Sequence, residues 1–541
     1  MVLTVKKQML LFVVISLLLF FVGSGSALAQ PSSPTYTYNM TFDKDGLTTV
    51  EILYHGGSAV SGSSWVAIPK NFTSTTVTAL KGTIVSMNRL PYRAGGDQIV
   101  HPFYDNLTFS YNSAGGPFSA RILFNMTFGA MIVEPNGFFF SPQIGAPSSA
   151  QVEAKLTFPD GVETLNEIQP APVRVERLGS RLELSFNLSS ESRIAVTFTV
   201  SWPKQTSHIR EGRIDAEVPG RYVELGASLV SLYGKAVPLM NDLFNNTVAQ
   251  ISVKLFNPLS IPGMSIGGYT PIDPSSFQTG AIHLNLFYFR ALPGTMETIA
   301  VHELAHQYMA RAGISPELLW VHEGLANYVA VQMGKPLGYD AASTDADLEA
   351  AAGELNGDYG MIQYWQPGGT VISLFQYYAA SYHVFKTLGD RYGSLSLYSR
   401  FFRGLHELED GLRSTNVAVY QLGLAAGVDL FPQFQEWKFE LVDLSSLSGR
   451  IARLRAEEEL YGPILPFREQ ALSHLELARR TMTSAPEVAM GHITIAAFYI
   501  ETVPMIIGGV VLLLILLGAV AAVATRRARR KRDAFPDYAK L

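Results

Sequence analysis

The chain has 541 residues, of which 48% are hydrophobic and 16% charged, and its formal net charge is −5. It is too long for one ordinary domain core, and its composition excludes a disordered, highly charged protein. The small net charge gives no reason to expect nucleic-acid binding. Cysteine is absent. This excludes a disulfide scaffold and cysteine catalysis, and any metal site must therefore be built from His, Asp and Glu.

The N-terminus has the pattern of a secretory signal peptide over residues 1–29. Lys6 and Lys7 precede an apolar run over 9–22, and small residues lead up to Ala29, after which cleavage is predicted. An uncleaved signal anchor is the alternative. In both cases the rest of the chain is expected to be exported.

Residues 30–205 are predicted to form an all-β sandwich. Segments rich in Val, Ile, Thr, Tyr and Phe alternate with clusters of Gly, Pro, Asn and Ser, which is typical of short strands joined by turns. The strand-like segments are 36–42, 48–54, 121–128, 151–158, 181–188 and 193–202. Glycosylation sequons begin at Asn39, Asn71, Asn106, Asn125, Asn187 and Asn245.

The next domain is predicted over 206–447, where helical periodicity becomes frequent. Helical spacing over 218–244 is followed by strand-like segments at 251–256, 264–269 and 281–286.

Two consecutive helices are then expected in this domain. The first runs from Thr295 to Gly313. The second has Ser315 as its N-cap and Pro316 at its first helical position, and it ends at Gly334 and Pro336.

The C-terminal part is predicted to be a helical stalk over 448–502, a single transmembrane helix over 503–525 and a basic tail over 526–541. The apolar run is uncharged and long enough to span a bilayer, and an arginine-rich cluster follows it. By the positive-inside rule, the tail is cytoplasmic and the N-terminal ectodomain lies outside the cell membrane. A buried core helix is the alternative for the apolar run.

The sequence HELAH at residues 302–306 is the pattern of a metal-binding site. On a helix, His302 and His306 are four residues apart and share one face, so both imidazoles can bind one metal ion. Glu303 projects beside that position, which suits a general base that takes a proton from a metal-bound water. A third protein ligand is needed, and Glu323 can supply it if the two helices pack antiparallel.

HELAHQY followed by WVHEGLANY resembles the gluzincin zinc metallopeptidases, and most closely those of the aminopeptidase N and glycyl aminopeptidase type. The matching residues of the second segment are Trp320, Glu323, Gly324 and Tyr328. The spacing between the two motifs is about two residues shorter than is usual in that family. The resemblance implies one zinc ion held by His302, His306 and Glu323 in an α+β, thermolysin-like domain.

The same families have a tyrosine that stabilises the oxyanion. Residues 377–385 resemble that segment, with Tyr378 as the predicted oxyanion residue and Tyr377 as the second choice. Ser381 and Ala380 stand where that segment usually has Gly and Lys. The alternative is that both tyrosines only pack in the core.

A GxMEN-type strand, which binds the substrate's α-amine in those aminopeptidases, is not found in the corresponding region. That region contains Gly267, Gly268 and Tyr269, and the strand-like segment 280–286 is expected either to hold an extended peptide at a sheet edge or to be core.

Two further residues are candidates for roles next to the metal ligands. Asn327 shares a helix face with Glu323 and can accept a proton from the second nitrogen of a ligand histidine, or it is a plain surface residue. His322 is expected to be a substrate-side or packing residue.

The sequence therefore predicts a membrane-anchored, extracytoplasmic zinc metallopeptidase that acts on a peptide or protein substrate. Its mode, endopeptidase or aminopeptidase, and its oligomeric state stay open. The alternatives are a non-catalytic surface binding protein that retains the metal site, and a zinc hydrolase of non-peptide substrates.

Overall fold

The computed structural model describes residues 33–534, apart from 57–60, 71–73, 94–100, 102, 114, 190, 291, 367, 369–371 and 409–410. The predicted signal peptide, the sequon at Asn71 and the last residues of the basic tail lie outside the described residues. The N-terminal β-rich region and the helical C-terminal region expected from the sequence are both confirmed, and an apolar helix ends the described chain.

The strands of the β-rich region are β1 (Thr35–Phe42), β2 (Thr48–His55), β3 (Ser61–Pro69), β4 (Thr76–Lys81), β5 (Thr83–Pro91), β6 (Tyr104–Asn112), β7 (Ser119–Met126), β8 (Ala130–Val133), β9 (Asn136–Phe140), β10 (Gln151–Thr157), β11 (Val162–Gln169), β12 (Arg174–Leu178), β13 (Arg181–Leu188) and β14 (Ala195–Val200). They form a seven-stranded sheet in the order β12-β13-β10-β1-β2-β7-β4, a four-stranded sheet β11-β14-β9-β8 and a three-stranded sheet β3-β6-β5.

One hydrophobic core joins these three sheets. Strand β1 alternates, so that Tyr36, Tyr38, Met40 and Phe42 point inward and are buried. The Phe42 ring packs on aromatic rings of the four-stranded sheet, at 5.7 Å from Phe139 and 5.5 Å from Phe198 between ring centroids. The inward-facing residues of such strands therefore fill the space between the sheets.

The C-terminal region begins with a five-stranded mixed sheet in the order β15-β16-β17-β19-β18. Its strands are β15 (Thr206–Glu211), β16 (Ile214–Pro219), β17 (Ile251–Phe256), β18 (Gly268–Tyr269) and β19 (Ile282–Asn285). Its helices are α1 (Val223–Phe244), α2 (Thr295–Arg311), α3 (Leu319–Leu337), α4 (Ala342–Gly353), α5 (Leu374–Tyr392), α6 (Leu395–Leu405), α7 (Thr415–Ala426), α8 (Phe431–Glu436), α9 (Leu444–Tyr461), α10 (Arg468–Thr481), α11 (Pro486–Ala497) and α12 (Val503–Ala534).

Of the two alternatives for the segment 280–286, a sheet edge or core, the structure does not have the edge. Strand β19 pairs with β17 on one side and with β18 on the other, so it is not an edge strand. The short strand β18 lies at the edge instead, with Gly268 opposite Leu284 and Tyr269 opposite His283.

Helix α3 begins later than predicted, at Leu319. The predicted N-cap Ser315 instead contacts a residue that is distant in sequence. Its backbone N–H donates to Leu412 O (2.9 Å), and Ile314 forms a β-bridge with Leu412. Pro316 and Glu317 then form a turn instead of the first helical turn.

The end of α3 also differs from the prediction. The helix continues past Gly334 and Pro336 and stops at Leu337, where Gly338 adopts a φ of 83° and its N–H bonds to Gly334 O (2.8 Å).

The segment predicted as a stalk folds into α9, α10 and α11. Buried residues of these helices, including Leu454, Leu475 and Ile493, belong to the same hydrophobic core as the preceding helices. Helix α11 continues through a π-helical turn (Phe498–Thr502) into α12. The apolar residues of α12 are exposed, and the helix is long enough to cross a bilayer. The alternative of a buried core helix for this run is therefore wrong.

The β-rich and helical regions contact each other through aromatic rings and one buried ion pair. The Phe287 ring lies 5.2 Å from that of Phe140 and 6.4 Å from that of Phe138. Arg221, which lies two residues before the start of α1, pairs with the buried Glu134 of the β-rich region.

Candidate metal centre

Helices α2 and α3 pack antiparallel beneath the edge of the five-stranded sheet and bring the two sequence motifs together. His302 Nε2 lies 3.0 Å from His306 Nε2. Glu323 Oε2, from α3, lies 3.1 Å from His302 Nε2 and 3.6 Å from His306 Nε2. Three potential ligand atoms from two helices therefore converge on one point.

These separations suit a tetrahedral metal ion. Ligands about 2.1 Å from a zinc ion stand about 3.4 Å apart in a tetrahedral site, close to the 3.0 to 3.6 Å found between these atoms. Two imidazoles and one carboxylate also form a ligand set that is common in catalytic zinc sites.

Glu303 is a second carboxylate at this point. One ligand atom from each of His302, Glu303 and His306 lies within 4.8 Å of the others, so Glu303 is an alternative to Glu323 as third ligand. The distances favour Glu323, whose Oε2 is closer to both imidazoles. Glu303 Oε2 instead accepts a hydrogen bond from Thr270 Oγ1 (2.9 Å), which holds it to one side.

The hydrogen bonds around His302 fix which ring nitrogen carries its proton. His302 Nδ1 lies 3.0 Å from Asn327 Oδ1. Because a carbonyl oxygen only accepts, Nδ1 carries the proton and donates it, and Nε2 presents its lone pair to the converging atoms. Asn327 thus occupies the supporting position considered for it from the sequence.

His306 is oriented in the same way, through a relay that ends at a backbone carbonyl. His322 Nε2 lies 3.0 Å from Ile314 O, so this nitrogen carries the proton of His322. Burial lowers the pKa of His322 to about 4, so the ring is neutral and its Nδ1 is an acceptor. That atom lies 3.2 Å from His306 Nδ1. His306 therefore donates from Nδ1 and directs the lone pair of Nε2 toward His302 and Glu323.

His322 lies behind His306. It is 2% exposed and both of its nitrogens have protein partners. The substrate-side position considered for it from the sequence is not the one it occupies.

The charges at the site depend strongly on one another. Burial raises the pKa of Glu303 above its ordinary value, although both imidazoles act in the opposite direction. Burial also acts to raise the pKa of Glu323, but His306 and His302 outweigh it and hold this pKa well below its usual range. The pKa of His306 is raised because the Glu323 carboxylate outweighs the effect of burial. The ionised Glu323 carboxylate and the two imidazoles thus stabilise one another's charged forms.

The sheet edge approaches Glu303 closely at a glycine. A Cβ atom at Gly268 would lie 2.8 Å from Glu303 Cγ and 2.9 Å from His283 O. Any larger residue would therefore displace either Glu303 or the edge strand. Two residues further on, Thr270 also bonds through Oγ1 to the backbone O of Glu303 (3.1 Å).

Tyr378 faces this cluster from α5. Burial raises the pKa of its hydroxyl, and the negative charges of Glu323 and Glu303 raise it further. The hydroxyl is thus a neutral donor near both carboxylates. Tyr377, the second choice, is 2% exposed, and its ring stacks on Trp365 at 5.2 Å, so it packs in the core beside the site.

Sequence reasoning missed two groups of this site. Thr270 lies in no motif, and only its place shortly after Gly267 and Gly268 connects it with a region that the sequence singled out. The carbonyl of Ile314, which ends the histidine relay, has no sequence signal because any residue supplies a carbonyl.

No protein-family model matches the chain, and no curated protein matches it significantly. The geometry of the site is therefore the basis for assigning a function.

Proposed function

We propose that this protein is a membrane-anchored zinc metallopeptidase of the gluzincin type, with a thermolysin-like domain outside the membrane. The convergence of His302 Nε2, His306 Nε2 and Glu323 Oε2 carries this proposal. The hydrogen bonds at Asn327 and His322 direct the lone pairs of both neutral imidazoles toward the carboxylate, which is the arrangement that a bound cation would complete. His302, His306 and Glu323 would hold one zinc ion.

A bound zinc ion would acidify a water molecule and polarise the carbonyl of the substrate. Glu303 is the general base, since its carboxylate lies beside the ligands and is held by Thr270. Tyr378, a neutral donor, stabilises the negative charge that develops on the carbonyl oxygen. Strand β18 is the free sheet edge beside Glu303, which suits binding of an extended peptide.

The membrane part of the proposal rests on the apolar helix and its flanking charge. The apolar run of this helix is exposed and long enough to cross a bilayer. Arg526, Arg527, Arg529 and Arg530 follow the apolar run, which favours a cytoplasmic C-terminus and an external metal centre.

Zinc content is the decisive test. Full-length protein and a Glu323→Ala variant are purified in nanodiscs, and the metal is measured by mass spectrometry. We expect about one zinc per chain in the parent protein and at least about tenfold weaker zinc retention in the variant. Glu317→Ala is the matched control, because Glu317 is exposed and directly precedes the same helix. Equal zinc in parent and Glu323→Ala protein would refute the ligand set.

The reaction is tested with a panel of blocked peptides, unblocked peptides and esters. Cleavage of blocked peptides indicates an endopeptidase, and a need for a free amino terminus indicates an aminopeptidase. Zinc binding with turnover of esters alone would favour a hydrolase of non-peptide substrates, and zinc binding without any turnover would favour a non-catalytic binding protein.

The role of Tyr378 is tested against its neighbour. Tyr378→Phe is expected to lower kcat by about 10²-fold or more, whereas Tyr377→Phe lowers it little. The reverse order would make Tyr377 the oxyanion residue.

A further inference from the structure

The apolar helix does not begin at the membrane. One continuous helix of 45 residues runs from Pro486 to Arg530 and includes α11 and most of α12. If the predicted span starts at residue 503, the preceding part extends about 25 Å outside the bilayer core, at 1.5 Å per residue. This outer part packs against α10.

Two contacts define how α10 and α11 lie side by side. His474 Nδ1 is 2.9 Å from His492 Nδ1, and the Phe467 ring is 5.8 Å from the Tyr499 ring. The helices are therefore antiparallel, and Phe467 at the start of α10 is level with Tyr499. The turn before Phe467, which joins α9 to α10, consequently lies at the end nearest the span.

Large apolar side chains are exposed at this end. Leu460 is 82% exposed, Tyr461 41%, Phe467 56% and Phe498 49%. We call these four residues the collar. A monomeric soluble surface seldom concentrates such side chains in one place, and a cluster of them marks a site of contact with a protein or a membrane.

Two ion pairs lie near the collar. Glu501 accepts from Arg453 at 3.2 Å, and the buried Glu458 pairs with Arg468 at 2.5 Å. Paired charges lower the cost of bringing this end of the helices close to a low-dielectric phase.

We propose that the collar enters the outer boundary of the lipid bilayer around the spanning helix, between headgroups and acyl chains. Lipid is the occupant that the position favours, because the collar lies at the end of the helices from which the apolar helix α12 continues. Its mixture of aromatic and aliphatic side chains is typical of the membrane interface. The inference rests on the proposed membrane anchor and is independent of the metallopeptidase activity.

The absence of cysteine allows a direct test with single labels. Leu460→Cys and Phe498→Cys variants of the full chain carry an environment-sensitive fluorophore in nanodiscs whose phosphatidylcholine bears a nitroxide near the headgroup. Val488→Cys is the matched control. Val488 is 51% exposed on the same continuous helix as Phe498, but it lies ten residues, or about 15 Å, further from the membrane. Leu514→Cys reports on the span itself.

We expect the nitroxide lipid to quench the labels at 460 and 498 several times more strongly than the label at 488, and the label at 514 to emit as in hydrocarbon. Quenching at 460 and 498 no stronger than at 488, with the label at 514 in lipid, would overturn the collar proposal alone. A label at 514 that behaves as in water would overturn the membrane anchor and the collar together. Neither result affects the zinc measurement, so failure of the metal centre is distinguished separately.

Discussion

Two antiparallel helix pairs in this molecule bring histidines into contact through their Nδ1 atoms. In the α2–α3 pair, His306 meets His322 at 3.2 Å. In the α10–α11 pair, His474 meets His492 at 2.9 Å. The two contacts are alike in distance, but their surroundings differ.

Around the first pair, every imidazole nitrogen has a role. Ile314 O accepts from His322, and Glu323 lies beside the free nitrogen of His306. Around the second pair, the described contacts are the two rings themselves and the Tyr499 ring, and no described carboxylate forms an ion pair with either histidine. The comparison teaches that close histidines do not by themselves define a metal centre. A further ligand and fixed tautomers are needed as well.

The largest effect is expected from Glu303→Gln at the α2–α3 site. This variant distinguishes a role of Glu303 as general base from a role as metal ligand. Turnover should fall by about 10² to 10⁴-fold while zinc is retained, because the amide cannot accept the proton. Glu297→Gln, on the same helix, should retain activity. Loss of zinc from Glu303→Gln protein would show that this carboxylate is a ligand.

The next largest effect is expected at the hydrogen-bond relay that runs from His306 through His322 to Ile314 O. His322→Phe removes the acceptor for His306 Nδ1, and we expect zinc affinity to fall by about 10 to 100-fold, measured by competition with a chelator. His322→Asn should restore part of the affinity, since its Oδ1 can accept the same proton. Unchanged affinity in His322→Phe protein would mean that the relay does not orient His306.

A smaller effect is expected from Thr270→Val, read in the pH dependence of kcat/KM. The base must be ionised, so activity falls as pH drops through the pKa of Glu303. Thr270 donates to this carboxylate and stabilises its charged form. Its removal should raise the pKa of Glu303 and move the acid limb to higher pH, by up to about one unit. Thr279→Val, in the same loop, should leave the limb in place. A shift to lower pH would contradict this assignment.

The smallest effect is expected at the second histidine pair. His492→Leu should leave zinc content and turnover unchanged and alter stability by about 1 kcal/mol or less, measured by chemical denaturation. A loss of zinc in this variant would contradict the difference drawn between the two histidine pairs, because it would place a metal ion where no described carboxylate is available.

Much of the fold was accessible from local sequence pattern. Enrichment in Val, Ile, Thr, Tyr and Phe between turn-forming clusters predicted β1, β2, β10 and β13 to within a residue or two, and one face of each strand is buried. The predicted helix start at Ser315 was wrong because of a contact that is distant in sequence. Ser315 is bound by Leu412, nearly a hundred residues away, and local capping rules contain no information on such a partner.

The candidate site likewise has features that local sequence spacing predicts and features that depend on contacts distant in sequence. The spacing of His302, His306 and Glu323 predicted residues that the structure brings together. The contact of Thr270 with Glu303 joins residues 33 apart and depends on how the sheet edge lies over α2. The relay through His322 could not be predicted from the sequence, because the histidine tautomers follow only from the positions of the carbonyl groups that accept their protons.

The continuous helix from Pro486 to Arg530 also bears on how the proposed external part could be released from the proposed membrane span. Proteinases bind the segment they cut as an extended strand, and within the described chain this helix leaves no unstructured linker between α11 and the span. Cutting there requires local unwinding first. The π-helical turn at Phe498–Thr502 is the one described interruption of its α-helical hydrogen bonding, and it is therefore where such unwinding would begin.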